Sequence, residues 1–168
     1  MNLPELKIGK LVAQVPIIQG GMAIRLCTAP LAAAVANEGG IGLIAASGMG
    51  LDELRKEIRM ARELTGGKGI IGINAMVAAR QFLDLITTAA EEGIDLIVAG
   101  AGFSRDIFAV GKKYGVEVVP IVSSARLAQT AEKLGASAVV VEGTEAGGHL
   151  GTQQSIKEIL PEVIEAVN

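Results

Sequence analysis

Short apolar runs recur along the chain at intervals of roughly 20–30 residues, and the stretches between them carry apolar residues at helical spacing. The runs cover 15–19, 40–46, 70–77, 96–99, 117–122 and 138–141. They are rich in β-branched residues and show little polar alternation, which is the pattern of parallel strands buried on both faces. Between the second and third runs, Leu51, Leu54, Ile58, Ala61 and Leu64 form one stripe, with Glu53, Arg55, Lys56, Glu57, Arg59 and Arg62 lying off it. Phe82, Leu85, Ile86 and Ala89 form a second stripe. Shorter helices are predicted over 104–114 and 124–134, each closed by a glycine in a left-handed stop, Gly115 and Gly135. Thr28 followed by Pro30 predicts an N-cap and a first helical turn. The last helix is predicted over 154–167, with Ile156, Leu160, Val163 and Val167 inward and Pro161 breaking or restarting it. This alternation predicts a parallel sheet with right-handed βαβ crossovers.

Composition narrows the class. The 168 residues suit a single α/β domain over 1–168, and half of them are hydrophobic while only 2% are aromatic. The core must therefore come from Ala, Val, Ile and Leu. No apolar stretch approaches the ~18 residues of a membrane span. The net charge is −3 and the basic residues are dispersed, so a nucleic-acid partner is excluded and a small-molecule ligand is expected. Cys27 is the single cysteine, which removes intramolecular disulfides and cysteine-rich zinc sites; it reads as a small buried hydrophobe rather than a nucleophile. The start Met-Asn-Leu-Pro-Glu shows no basic leader, so a cytoplasmic location is expected.

Candidate chemistry gathers after the strands, on the rim where such folds bind ligands. Gln19-Gly-Gly-Met22, Ser47-Gly48, Asn74-Ala-Met76, Gly100-Ala-Gly102, Ser123-Ser124 and the stretch 142–149 all fall there. Gly100-Ala-Gly-Phe-Ser-Arg105 starts like a dinucleotide fingerprint, yet it lacks the third glycine and the ribose-binding acid. Gly66-Gly-Lys-Gly69 precedes a strand rather than following one and reads as a helix-ending turn. Asn74 interrupts an apolar strand end, so its amide must meet backbone or a ligand; Gln19 poses the same question. His149, the only histidine, follows Glu142-Gly-Thr-Glu-Ala-Gly-Gly148. No second histidine supports a metal site, and the bare glycines before it let an imidazole approach a flat ligand. His149 is the candidate acid–base group.

Together, Pro16-Ile-Ile-Gln-Gly-Gly-Met22, Gly72-Ile-Asn-Ala-Met76, Val98-Ala-Gly-Ala-Gly102, Pro120-Ile-Val-Ser-Ser124 and Glu142-Gly-Thr-Glu-Ala-Gly-Gly-His149 resemble the FMN-dependent nitronate monooxygenases, formerly 2-nitropropane dioxygenases, with the related FMN-dependent enoyl-ACP reductases. The resemblance implies a TIM barrel with FMN at the C-terminal strand ends, here represented by about six of its eight βα units. It implies that Gly20, Gly21 and Met22 border the flavin ring, that Asn74 hydrogen-bonds it and that Gly100 lies near it. Glu142, Gly147 and Gly148 would shape the pocket, and His149 would be catalytic. The implied reaction oxidises an alkyl nitronate with O2; the alternative reduces an enoyl thioester with NAD(P)H. The family's strands 7 and 8, which usually grip the FMN phosphate, are not among these residues. Open sheet edges are therefore expected, covered in a homo-oligomer or by a complementary chain. A catalytically silent half-barrel is the remaining alternative.

Overall fold

The computed structural model describes residues 3–167. Met1, Asn2 and Asn168, which belong to the expected leaderless start and to the ends of the expected domain, lie outside the described residues. In chain order the elements are β1 (Leu6–Ile8), β2 (Leu11–Ala13), α1 (Ala29–Asn37), β3 (Ile41–Ala45), α2 (Leu51–Leu64), β4 (Ile70–Met76) and α3 (Phe82–Glu91). Then follow β5 (Leu96–Gly100), α4 (Asp106–Tyr114), β6 (Glu117–Val122), α5 (Ala125–Lys133), β7 (Val140–Val141) and α6 (Ile156–Ala166). Strands β3 to β7 form one parallel sheet in sequence order, curled as a partial (β/α) barrel.

Strand alternation sorts the side chains between two cores. Ile44, Ile71, Ile73, Ala75, Ile97, Ala99 and Val118 face the helices, where they meet Ala32, Ala36, Leu54, Ile58, Leu85 and Ile86. Ile41, Leu43, Leu96, Val98 and Val119 face the concave side and form the second core with Ile8 and Ala13. The small alanines of α1 and the near absence of aromatics let the helices lie close on the sheet.

The antiparallel hairpin β1–β2 was not expected from the apolar runs. It plugs the N-terminal end of the concave side, where the Lys10 amide donates to Glu117 Oε1 at 3.1 Å and Lys10 Nζ donates to the Gly115 carbonyl at 2.6 Å. Its signal was the alternation Leu6, Ile8, Leu11, Ala13 about Gly9-Lys10, a two-residue turn with Gly9 at φ 54°.

Two expectations are corrected, and a third holds in position with a different bond. The run 15–19 is not a full strand: it makes one parallel bridge, Ile18 to Ile41, with flanking backbone bonds. Pro16 has no donor, and after Gln19 the chain turns away, so the Leu43 carbonyl is met by the Gln19 side-chain amide at 3.0 Å. Thr28 occupies the N-cap of α1 but makes no side-chain cap; the Ala29 amide donates instead to Glu57 Oε2 of α2 at 2.6 Å. Helix α6 runs unbroken through Pro161, which sits on its exposed face where water can take the Lys157 carbonyl that the proline leaves free. Its buried residues are Ile159 and Val163, while Leu160 is exposed. No helix among the described residues is long and apolar enough to cross a membrane.

Candidate active site

Each parallel strand ends on the same rim, and the residues just beyond those ends enclose a cleft of about 1100 Å³. That size lies at the upper end of small-molecule sites, about 300–1,000 Å³. Gly20, Gly21, Met22, Asn74, Gly100, Glu142, Gly147, Gly148 and His149 all line it. The structure thus brings these nine residues to one place, although they span 130 positions of the chain, while Gln19, Gly48, Gly102, Ser123 and Ser124, also nominated on the rim, do not line the cleft.

Asn74 is set by β4. Its backbone lies in register with Ala45 of β3 and Val98 of β5, and its carbonyl accepts from the Ala46 amide at 2.9 Å. Alternation then turns its side chain to the concave side, into the cleft. No protein group hydrogen-bonds that amide among the described residues. Gly21 packs directly against it: a Cβ at Gly21 would fall on the Asn74 side chain. Gly20 has open space where its Cβ would be, so its backbone is bare to the cleft.

The loop carrying Gly20–Met22 is folded back on itself by Cys27. The Met22 amide donates to Cys27 Sγ at 3.2 Å, and the thiol donates to the Gly20 carbonyl at 3.3 Å. Cys27 is fully buried, in keeping with the small-hydrophobe reading. The neighbouring Gln19 is fixed through its amide nitrogen, while its Oε1 is buried without a hydrogen-bond partner.

The opposite wall is the loop from β7 to α6, clasped at two carboxylates. Glu142 Oε1 accepts from the Gly151 amide at 2.9 Å. Glu145 accepts from Ser155 Oγ at 2.6 Å and from the Ile156 amide at 2.9 Å, at the N-terminus of α6. The Ser155 hydroxyl, followed by the Ile156 N–H, holds the Glu145 carboxyl below the usual carboxylate range. A Cβ at Gly143 would strike the Ile156 nitrogen, so a glycine is required where α6 starts against the loop. Gly148 has φ 92°, a left-handed conformation that suits glycine, and the next residue, His149, stands exposed at the mouth. Its imidazole has no protein hydrogen-bond partner among the described residues.

Ile24 and Leu26 line the cleft too and escaped the sequence reading, whereas Ser47, Ala101 and Ile121 were named there only within longer stretches. Ile24 and Leu26 form an exposed apolar lip, 69% and 64% exposed, continuing from Met22. Their spacing of two resembles a solvent-facing loop and gave no signal. Ile121 reaches the cleft as a concave-side residue, legible from strand alternation. Ala101 lines it with φ 52°, an unusual conformation for a residue with a Cβ, directly after β5. Ser47 Oγ accepts from the Met76 amide at 2.8 Å and so ties two rim segments together.

A family model described as Nitronate monooxygenase matches residues 5–99 and 77–168. A probable nitronate monooxygenase of Staphylococcus aureus is 32% identical over 184 aligned positions, covering 88% of this chain and 51% of the relative. A hydroxy-methyl-oxo-octahydro-indene-carboxyl-CoA dehydrogenase of Mycobacterium tuberculosis is 32% identical over 152 positions, covering 90% of this chain and 42% of that protein. Among solved structures, FabK from Thermotoga maritima superposes with a TM-score of 0.85 at 37% identity, over 91% of this chain and 48% of FabK. The chain spans about half the length of these relatives.

Proposed function

The chain belongs to the nitronate monooxygenase family, and from that premise we propose that its cleft holds FMN and supports the oxidation of a small alkyl nitronate with O2. The observation that carries the reading is the unpartnered Asn74 amide, aimed into a cleft whose other walls are the bare backbones of Gly20, Gly147 and Gly148. These residues fit a flat, hydrogen-bonding ring: glycine backbones admit its faces, and an amide can donate or accept at its polar edge. When bound, the flavin supplies reversible electron acceptance from the substrate and delivery to O2.

The chain's own groups then divide the remaining work. Gly20, Gly21, Met22 and Gly100 border the ring, and Asn74 fixes its orientation. Glu142 acts indirectly, by holding the loop that carries Gly147, Gly148 and His149 closed onto Gly151. His149 takes the α-carbon proton of a neutral nitroalkane, leaving the nitronate, or orients a nitronate that arrives as the anion by donating to its oxygen. The exposed lip of Met22, Ile24 and Leu26 receives the apolar part of the substrate.

A second reading, reduction of an enoyl thioester with NAD(P)H, is favoured by the likeness to FabK. Titration of the purified chain with FMN tests both readings, because bound oxidised flavin absorbs near about 450 nm. Nitronate-dependent oxygen uptake supports the first, and NADH-driven reduction of a crotonyl thioester supports the second. A chain that binds no FMN is the silent half-barrel, and both readings then fail.

A further inference from the structure

Left-handed backbone is left almost entirely to glycine in this chain. Ten glycines have positive φ among the described residues, and only two other residues do, Arg25 at 59° and Ala101 at 52°. In that region a Cβ crowds the following carbonyl oxygen, so a non-glycine residue is held there by its surroundings. For Arg25 the reason lies within the protein. Its guanidinium makes a two-bond pair with Glu53 of α2, Nε to Oε1 at 2.9 Å and Nη2 to Oε2 at 3.1 Å. Ala101 has no polar side chain and can make no such bond.

The segment 100–102 leaves β5 wedged between its neighbours. The Gly100 carbonyl accepts from the Val77 amide at 2.8 Å, which ties the exit from β5 to the end of β4. A Cβ at Gly100 would stand 2.8 Å from Ile121 Cδ1 of β6, and one at Gly102 would stand 3.2 Å from Val77 Cβ. Both flanking positions therefore meet protein at close range, Gly100 on the β6 side and Gly102 on the β4 side. Between them Ala101, half-buried, lines the cleft in company with Asn74, Met76 and Gly100. Its methyl is the one side-chain group the segment carries.

That methyl belongs to none of the three buried apolar clusters of the described residues. A glycine at 101 would relax the backbone and close the same turn, and the chain already places glycine on both sides. The methyl is thus held against the backbone's preference, at a place where the surface it offers is the wall of the cleft.

We propose that Ala101 is a ligand-contacting residue, whose methyl packs against the flat ring that the cleft receives. The inference rests on the flavin reading above and adds to it a residue outside the glycine and amide contacts already assigned. A small apolar group beside the bare backbone of Gly100 excludes water from the ring and limits what can lie between the ring and the end of β5.

The test uses the full chain with Ala101→Gly and Ala101→Ser. Melting temperatures are measured without ligand, and dissociation constants are measured by titration with FMN and with lumiflavin, which has the ring but no phosphate tail. Ala101→Gly is expected to melt about 2–4 °C higher, because the left-handed backbone no longer carries a Cβ. It is expected to bind both flavins about threefold more weakly, the worth of one methyl contact. Ala101→Ser puts the Cβ back and should recover the lost affinity. A purely structural residue behaves in the opposite way, with stability and affinity falling together. A glycine variant that binds both flavins as tightly as the native chain overturns the inference and leaves the flavin reading standing. So does one that melts lower, which would place the methyl in the protein's own packing, or one whose loss is confined to FMN, which would place the effect at the phosphate tail. A native chain that binds neither flavin overturns the flavin reading, and this inference with it.

Discussion

Asn74 sits where ladder and cleft meet. Its backbone is fully engaged between β3 and β5, while its amide has no protein partner. Asn74→Leu keeps the shape and removes the polar group, so FMN affinity should fall by about tenfold, the worth of one hydrogen bond of about 1–1.5 kcal/mol. An unchanged dissociation constant means the amide does not touch the ring. His149→Ala should leave flavin binding intact and lower turnover by roughly 10²–10⁴; full turnover in steady-state assays removes the imidazole from the chemistry. Glu145 brings in pH. Its folded-state pKa is depressed by Ser155 and Ile156, so its stabilisation of the loop is present above the ordinary carboxylate range and is lost as pH falls through the depressed value. Amide exchange at Ile156, corrected for its intrinsic rate, should therefore accelerate on acidification in the native chain but not in Glu145→Gln. At this scale the sequence was informative because polar residues at the ends of apolar runs have few places to go. It was silent on Ile24 and Leu26, because a loop's path is set by tertiary contacts such as Cys27 Sγ with Met22 and Gly20, which no local pattern encodes.

Among the elements, parallel strands were legible and edges were not. The runs at 70–77 and 117–122 match β4 and β6 closely, because a strand buried on both faces must be apolar throughout. The run at 15–19 is just as apolar but lies at an edge, where pairing is decided by donors such as the one Pro16 lacks. Helix α6 failed differently. Its apolar residues cover a broad arc, and the clasp of Glu145 on Ser155 and Ile156 fixes how the helix enters, which selects Ile159 and Val163 over Leu160. The hairpin β1–β2 supports a prediction of its own. Glu117 accepts from the Lys10 amide and from the Ser137 hydroxyl at the end of the sheet opposite the cleft. Glu117→Ala should lower unfolding free energy by about 1 kcal/mol, because the partly buried Ser137 hydroxyl loses its acceptor while the exposed Lys10 amide passes to water. FMN affinity should be unaffected, since the two ends are joined only through the rigid sheet. Coupled loss of both in denaturant and binding titrations contradicts this separation.

At the largest scale the described residues form a curled parallel sheet with two margins unpaired among them. One is the outer edge of β7 and the other is the 15–19 segment, which pairs only with β3. Apolar side chains stand exposed near both: Leu160 and Ile164 at 42% and 64% on α6, the helix that follows β7, and Ile17 at 57% in the 15–19 segment. An open parallel edge offers backbone donors and acceptors to any strand that can align with it, and apolar flanks make such pairing favourable. The chain by itself should therefore self-associate, or pair with a complementary chain where one is supplied, burying Ile164 and the β7 edge together. Light scattering across a concentration series measures this directly, with a mass that rises above that of one chain. Ile164→Lys together with Leu160→Lys should shift the equilibrium back to single chains without loss of helical signal, because neither side chain belongs to a buried core. A native chain that stays monomeric at all concentrations means the edges are tolerated in water, and the cleft, bordered on one side by the loop that leaves β7, must then hold its ligand without a neighbour's support.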